Sequence, residues 1–128
     1  MHTLRLSLLA AALATPLAAR ATVTETNFQV ATGADLAALC NATSDDKVYT
    51  AAQNFCEAFA IGAYRVLAKD EAGGGVKTFC LPDPGPTRDQ LKTAYVSFIA
   101  QNAVAASEPA EDSVLRFLQQ QYPCGGVK

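Results

Sequence analysis

The fold class is set by residues 87–99, Thr-Arg-Asp-Gln-Leu-Lys-Thr-Ala-Tyr-Val-Ser-Phe-Ile, because they carry a helix start followed by one apolar face. Thr87 and Gln90 have the spacing of a capping box, in which each side chain accepts a hydrogen bond from the backbone amide of the other residue. The apolar positions that follow at helical spacing are Leu91, Ala94, Tyr95, Phe98 and Ile99. An amphipathic helix is therefore predicted to begin after Thr87.

A second helix is predicted after this one, starting near Ser107 and stopped by Pro123. Pro109 is acceptable in its first turn, and the acidic residues around it suit the positive end of the helix dipole. Its apolar side consists of Val114, Leu115, Phe117, Leu118 and Tyr122. The link of residues 101–107 is short, so the two helices should run antiparallel.

A proline-rich connector stands before residue 87. Residues 78–86 read Thr-Phe-Cys-Leu-Pro-Asp-Pro-Gly-Pro, and three prolines in this spacing cannot lie inside a helix. Gly73, Gly74 and Gly75 precede the connector and favour a helix C-terminus, because glycine readily adopts the positive φ of a C-terminal cap. A flexible exposed turn is expected there, serving as a hinge or a binding loop.

The segment from about Lys47 to Lys69 is predicted to form the central helix of the bundle. Apolar residues cover most of its circumference and leave a narrow polar stripe, so neighbours should pack on most of its sides. The stripe consists of Thr50, Gln53, Asn54, Glu57 and Arg65. Gly62 costs about 1 kcal/mol relative to alanine inside a helix. Close approach of another backbone is the favoured reason for it.

A short helix is predicted before the central one. Thr32 stands three residues before Asp35, a variant of the capping pattern. The residues that share its apolar face are Leu36, Leu39 and Cys40. Residues 41–46 form a polar loop that ends in acidic residues suited to a helix N-terminus. Residues 22–31 are rich in β-branched side chains, and a lone strand or an extended arm is expected there.

The first 21 residues have the pattern of a secretory signal peptide. A short positive start with Arg5 is followed by an apolar run and a small-x-small site, Ala-Arg-Ala, at residues 19–21. The apolar run is too short to cross a bilayer, which needs about 20 apolar residues. Cleavage after Ala21 would leave residues 22–128 as one exported helical domain, without membrane insertion.

The charge of the processed chain excludes one class of partner. Cleavage would remove Arg5 and Arg20 from the ten basic residues and none of the 12 acidic ones, which leaves a net charge of −4. No basic patch is present to neutralise phosphates, so a nucleic-acid partner is not expected. A negative charge of this size mainly keeps a small domain soluble.

The cysteines predict two disulfides. Four of them in a short exported chain form an even set, and no Cys-x-x-Cys pair suggests a metal site. Antiparallel packing of the last two helices brings Cys80 toward Cys124, and the hairpin of the first two helices leaves Cys40 and Cys56 to pair. The expected architecture is all-α: one small bundle of four main helices stapled by these two bridges.

The residue inventory argues against catalysis. The single histidine is His2, which leaves with the signal peptide, and both disulfides together would leave no free thiol. The common hydrolytic triads and histidine metal sites are therefore not expected. The candidates for paired catalytic carboxylates all lie at predicted helix ends, where a role as caps or dipole partners is favoured: Asp45, Asp46, Asp70, Glu71, Glu111 and Asp112. We predict a binding protein without a metal or cofactor.

The ordered motifs resemble one family of proteins. Gly33 and Leu36 lead to Cys40, Cys56 is followed by Ile-Gly-Ala-Tyr at residues 61–64, and Phe-Cys-Leu-Pro at residues 79–82 precedes a Thr-capped helix; Tyr-Pro-Cys follows at residues 122–124. This order is similar to the Tai-type amidase immunity proteins of type VI secretion. The resemblance extends from Gly33 to Cys124.

The resemblance implies a function and a compartment. A relative of the Tai type would be a periplasmic, all-helical protein, often dimeric, that binds and blocks a peptidoglycan-cleaving effector delivered by a neighbouring cell. A homodimer is accordingly expected as a second kind of assembly. The alternative from another class is a small periplasmic helical chaperone or envelope stress protein that binds unfolded clients.

A partner-binding surface is predicted on exposed loops and on the polar stripe of the second helix. A loop can plug a catalytic cleft with little area, while a rigid bundle keeps the ordering cost of binding low. The predicted partner-binding residues are Glu71, Gly73, Gly74, Gly75, Lys77 and Asp83 on the loops, with Gln53, Glu57 and Arg65 on the stripe. For the stripe, simple solvation is an equal alternative.

Overall fold

The computed structural model describes residues 22–125, and the predicted signal peptide lies outside them. Every regular element in this range is helical, which confirms the predicted all-α class. In chain order the elements are a 3-10 helix over Glu25–Gln29 and helices α1 to α5 over Gly33–Cys40, Tyr49–Ala72, Arg88–Gln101, Ala103–Ser107 and Ala110–Gln121. None of these helices is both long enough and apolar enough to cross a membrane.

Two predicted capping boxes fix the starts of α1 and α3. The Thr32 Oγ1 atom accepts from the Asp35 amide at 3.3 Å, and the Asp35 carboxylate accepts from the Thr32 amide at 3.0 Å. At α3 the same exchange joins Thr87 and Gln90 at 3.2 and 2.8 Å. Each box satisfies amides that have no partner inside the helix, and the sequence pattern is sufficient to specify it.

The strand or extended arm expected over residues 22–31 is wrong. The chain instead winds into the 3-10 helix, because the Asn27 side chain accepts from the Thr24 amide at 2.9 Å and donates to Asp35 at 3.0 Å. Val23 and Val30, on either side of the helix, are both buried. The β-branched residues therefore anchor the ends of a turn to the core.

The central helix is α1, and the prediction that α2 holds this position is wrong. Although α1 has only eight residues, it contacts all the other helices, and five of its residues are buried. In α2 only Ala52 and Cys56 are buried. The reason is length: the 24 residues of α2 span about 36 Å, whereas α1 spans about 12 Å. Much of the apolar surface of α2 therefore extends past its neighbours.

The close backbone approach expected at Gly62 occurs at Gly33 instead. A Cβ atom at Gly62 would meet nothing within 4 Å, whereas one at Gly33 would clash with the Ala105 carbonyl oxygen and lie 2.8 Å from the Ser113 Cβ. The Gly33 amide donates to the Glu108 carbonyl at 3.0 Å. Glycine at the start of α1 thus lets the central helix contact α4 and α5 directly.

A buried hydroxyl pair lies at the same contact. The Ser113 hydroxyl donates to the Ala110 carbonyl at 2.7 Å, so its single hydrogen is occupied and the Tyr95 hydroxyl donates to it, at 2.6 Å. The Tyr95 hydroxyl also lies 3.4 Å from the Gly33 carbonyl. These bonds join α1, α3 and α5 and satisfy polar groups that have no access to water.

The last part of the chain differs from the prediction in one element. Residues 103–107 form the short helix α4, where only a link was expected, and α5 begins at Ala110 behind Pro109. Asn102 caps α4 by accepting from the Ala105 amide at 3.1 Å. Residues 102–106 read Asn-Ala-Val-Ala-Ala and have no amphipathic pattern, so periodicity did not reveal this short helix.

Both predicted disulfides are present. Cys40 pairs with Cys56 and Cys80 pairs with Cys124, with Cα atoms 5.1 and 4.9 Å apart. The first bridge ties the end of α1 to α2, and the second ties the connector to the segment after α5. Their sequence separations are 16 and 44 residues. In the chain-entropy model, closing such loops stabilises the fold by about 3 and 4 kcal/mol.

Replacing Gly33 with alanine tests the close approach of α1. We expect Gly33→Ala to lower the free energy of unfolding by about 1–3 kcal/mol, because the added methyl group meets backbone and Ser113 atoms that cannot move aside easily. Gly73→Ala is the matched control, since its Cβ would meet its nearest atom at an ordinary 3.4 Å. Urea unfolding measures both, and equal losses would contradict the assignment.

The Tyr95 hydroxyl predicts a pH dependence of stability. Burial raises the pKa of Tyr95 from 10.0 to about 12, and the negative charge of Glu108 acts in the same direction. The folded state therefore holds this proton more tightly than the unfolded chain, so the contribution of Tyr95 to stability is constant below about pH 10 and is lost between about pH 10 and 12. Tyr95→Phe should remove this part of the slope and cost about 1 kcal/mol at neutral pH. Tyr49→Phe, at an exposed position, should change neither quantity.

Candidate functional site

An apolar groove lies between α2 and α3 in the described residues, and we call it the α2–α3 groove. Its volume is about 330 Å³. The floor comes from the core and the walls from α2, α3 and the connector. The main apolar lining residues are Leu36, Val114 and Phe117 on the floor, Ala60, Ile61 and Tyr64 on α2, and Leu81 and Leu91 on the opposite wall.

The groove lies beside the turn at which the first disulfide holds α2 against α1. Cys56 is buried and joined to Cys40, so α2 is fixed to α1 at this turn. One turn later Ala60 is exposed, and Tyr64 has its ring centroid 6.3 Å from that of Phe79 in the connector. The small side chain at position 60 leaves the space between these two contacts open.

Three charged residues stand around the groove. The Arg88 guanidinium lies 3.9 Å from the Glu57 carboxylate, beyond hydrogen-bond distance. The Lys92 ammonium is already engaged, since it donates to Gln53 Oε1 at 2.8 Å and lies 3.1 Å from Asp89. Within residues 22–125 the Arg88 guanidinium makes no hydrogen bond, so more of its donors are free than those of the Lys92 ammonium.

A second surface, the outer α2 face, consists of Phe55, Gly62 and Val66. These residues follow one another at spacings that place them on one side of a helix. The side chains of Phe55 and Val66 are exposed, Val66 by 69%. Phe55 makes an edge-to-face contact with Phe28, with ring centroids 5.7 Å apart. Within the described residues this face is apolar and exposed to solvent, and at Gly62 no side chain projects from it.

The third surface is the turn of residues 73–77 after α2, which we call the post-α2 turn. The Gly74 amide donates to the Glu71 carbonyl and the Gly75 amide to the Asp70 carbonyl, both near 3 Å, and Gly74 has φ of 101°. This is a Schellman cap, which satisfies the last carbonyls of the helix. The predicted C-terminal cap is confirmed, and its bonds give the turn a defined shape.

The residues of the post-α2 turn are exposed. Val76 is 81% accessible, the highest value among the large apolar side chains of the described residues, and Lys77 beside it is also exposed. The Glu71 Oε1 atom, by contrast, is shielded and meets no hydrogen-bond partner in the described part of the chain. The last turn of α2 therefore carries a carboxylate oxygen without a hydrogen-bond donor among the described residues, and the post-α2 turn behind it presents an exposed apolar side chain.

The structure separates the nine predicted partner-binding residues into several places. Six of them surround the end of α2 or lie in the connector: Glu71, Gly73, Gly74, Gly75, Lys77 and Asp83. Glu57 lies at the α2–α3 groove, and Arg65 is exposed on α2. The Gln53 amide points inward and donates to the carbonyls of Leu39, Cys40 and Ala42 at 3.1 to 3.3 Å. Gln53 thus caps the end of α1.

Two surfaces were missed by sequence reasoning. The α2–α3 groove depends on the divergence of two helices, which periodicity does not reveal. The outer α2 face was interpreted as buried, because residues such as Phe55 and Val66 have the same apolar pattern on a core helix and on an exposed one. One sequence signal could have indicated this face: apolar residues cover most of the circumference of α2. A helix of eight residues such as α1 is too short to cover that much apolar surface.

The chemistry available at these surfaces is that of binding. All four cysteines are in disulfides, and no group of three or more His, Cys, Asp or Glu side chains within residues 22–125 could hold a metal ion. The groups at the surfaces are apolar side chains, amides and the charged residues already named. They can bury surface and pair charges with a partner.

Comparison with known proteins gives a family for the chain. No curated protein matches it with significance, and no solved structure does. The model of the Rap1a immunity proteins matches residues 32–124. The match begins at the cap of α1 and ends at the second cysteine of the Cys80–Cys124 bridge, so it includes both disulfides and all three surfaces. The chain belongs to the Rap1a immunity protein family.

Proposed function

We propose that this protein is a periplasmic immunity protein that binds and inhibits a peptidoglycan-cleaving, amidase-type effector of type VI secretion. The observation that carries the proposal is the match to the Rap1a immunity proteins over residues 32–124. The motif order at the cysteines, which resembles Tai-type immunity proteins, supports the amidase class. Inhibition requires a tight complex and no reaction by the inhibitor itself.

The disulfides and the N-terminal pattern support the proposed periplasmic compartment. Two bridges in a domain of about 100 residues are typical of an oxidising compartment such as the bacterial periplasm. The signal peptide proposed for residues 1–21 would deliver the chain there. An effector that cleaves peptidoglycan acts in the same space, so the inhibitor would meet its target where the damage occurs.

The post-α2 turn is the part of the surface best suited to block an active site. Its exposed Val76 offers an apolar side chain to a cleft, and Lys77 and Glu71 offer one charge of each sign beside it. The Schellman cap holds the turn in shape before binding, which lowers the ordering cost. Asp83 adds a second exposed loop.

Substitutions in the turn test this assignment. We expect Val76→Asp combined with Lys77→Glu to weaken binding to the cognate amidase by about 30-fold or more, the loss typical of an interface hot spot. Calorimetry with the purified protein and a purified amidase effector of type VI secretion gives the affinity. Lys47→Glu, a charge reversal at an exposed position before α2, is the control and should bind normally.

Two other results would contradict parts of this proposal. Unchanged affinity of the double variant would place the inhibitory surface elsewhere. If the protein bound no amidase but suppressed aggregation of unrelated unfolded proteins, the chaperone alternative would replace the proposal. The exposed outer α2 face is the observation that favours that alternative, because a client-holding protein needs apolar surface.

We also propose that two copies pair through the outer α2 face. Gly62 is costly in the middle of a helix, and within residues 22–125 no atom occupies the space that its missing side chain leaves. Close crossing of α2 with the α2 of a second copy gives this glycine a role and covers Phe55 and Val66. A symmetric contact of this kind is self-complementary.

A larger residue at the crossing point tests the dimer. Gly62→Phe should convert the dimer to a monomer in analytical ultracentrifugation without lowering the stability of the monomer, since none of the described residues lies within 4 Å of the added Cβ. Gly73→Ala serves as the control and should stay dimeric. A wild-type protein that is monomeric at 100 times the concentration used for binding experiments would contradict the proposal.

A further inference from the structure

The α2–α3 groove has the size and lining of a small-molecule site. Binding sites for small molecules occupy about 300–1,000 Å³ and are mostly apolar with a few polar groups, and the groove measures about 330 Å³. Its shape is bounded by two helices, so an extended ligand would lie between Ala60 and Ile61 on one side and Leu91 on the other. The volume is too small for a folded partner element such as a helix of several turns.

The charges at the groove favour a negative head group. The charged lining residues are Arg88, Lys92 and Glu57, and Lys92 is already paired with Asp89 at 3.1 Å, so Arg88 is the cation left to meet a ligand. Arg88 is more exposed than Glu57, with 73% of its side chain accessible against 41%. The guanidinium lies 3.9 Å from the Glu57 carboxylate, so guanidinium donors remain free. Arg88 is also the first residue of α3, where the helix dipole adds positive potential.

We propose that the α2–α3 groove binds a free single-chain carboxylate amphiphile of the fatty-acid type. The alkyl chain would lie along the apolar walls, where Tyr64 and Leu81 cover it, and the carboxylate would pair with Arg88. A guanidinium binds a carboxylate through two parallel hydrogen bonds, which gives this head group an advantage over neutral and cationic ones. The site is separate from the post-α2 turn and from the outer α2 face, so it does not depend on the proposed function.

Chain length provides the first test and needs no variant. Calorimetry of the oxidised protein, residues 22–128, with octanoate, decanoate and laurate below their micellar concentrations should show saturable binding of one molecule. Each buried methylene should tighten binding about fourfold, so laurate should bind at least tenfold tighter than decanoate until the groove is full. Absence of saturable binding, or affinity independent of chain length, would overturn the proposal.

The head group is tested with dodecyltrimethylammonium and with Arg88→Gln. Laurate should bind at least tenfold tighter than this cation of equal chain length, and Arg88→Gln should remove most of the difference. Arg65→Gln is the matched control, because Arg65 is exposed on α2 and does not line the groove. Equal binding of the two head groups, or an unaffected Arg88→Gln variant, would refute the carboxylate assignment.

The location is tested with a pair of alanine substitutions on the same helix. Ala60 lines the groove and Ala58 does not, and both are exposed. Ala60→Trp should weaken laurate binding by at least tenfold, whereas Ala58→Trp should leave it unchanged. Similar behaviour of the two variants would place the ligand elsewhere. Wild-type protein that sediments with phosphatidylglycerol vesicles but binds no laurate would assign the groove to a membrane surface and overturn the proposal.

Discussion

The close approach of α1 to α4 and α5 at Gly33 is the contact on which the rest of the structure depends. It places an eight-residue helix at the centre of the domain, where a larger first residue would hold it away from the Ala105 carbonyl and from Ser113. The Tyr95 and Ser113 hydroxyls occupy the polar side of this contact, so α3 is tied to the same point. A core built around so short a helix leaves long elements only partly covered.

The exposed surfaces of the molecule follow from that geometry. The Cys40–Cys56 bridge fixes α2 to the centre near its start, and beyond Cys56 the helix extends past α1. One side of the extension opens the α2–α3 groove, the opposite side presents Val66 and Gly62, and its end carries the capped post-α2 turn. An inhibitor benefits from this arrangement, since a stapled core presents preformed surfaces to a partner.

Local rules predicted the parts of the fold that are set by neighbouring residues. The capping pairs at Thr32 and Thr87 and the cap near Gly74 depend on side chains within a few positions, and the disulfides followed from antiparallel helices joined by short links. The position of α2 could not be predicted, because an apolar surface looks the same in sequence whether it faces a core, a second chain or a ligand. Gly62 shows the same limit: its cost is evident from sequence, but the absence of an intrachain neighbour is not.

The central claim, that α1 rather than α2 forms the stable core, is tested most directly by native-state hydrogen exchange of the oxidised protein. The account predicts that amides of α1 and of the first turns of α5 exchange only through global unfolding, while those of α2 after residue 61 exchange faster by local opening. The strongest protection in the second half of α2, with faster exchange in α1, would contradict it.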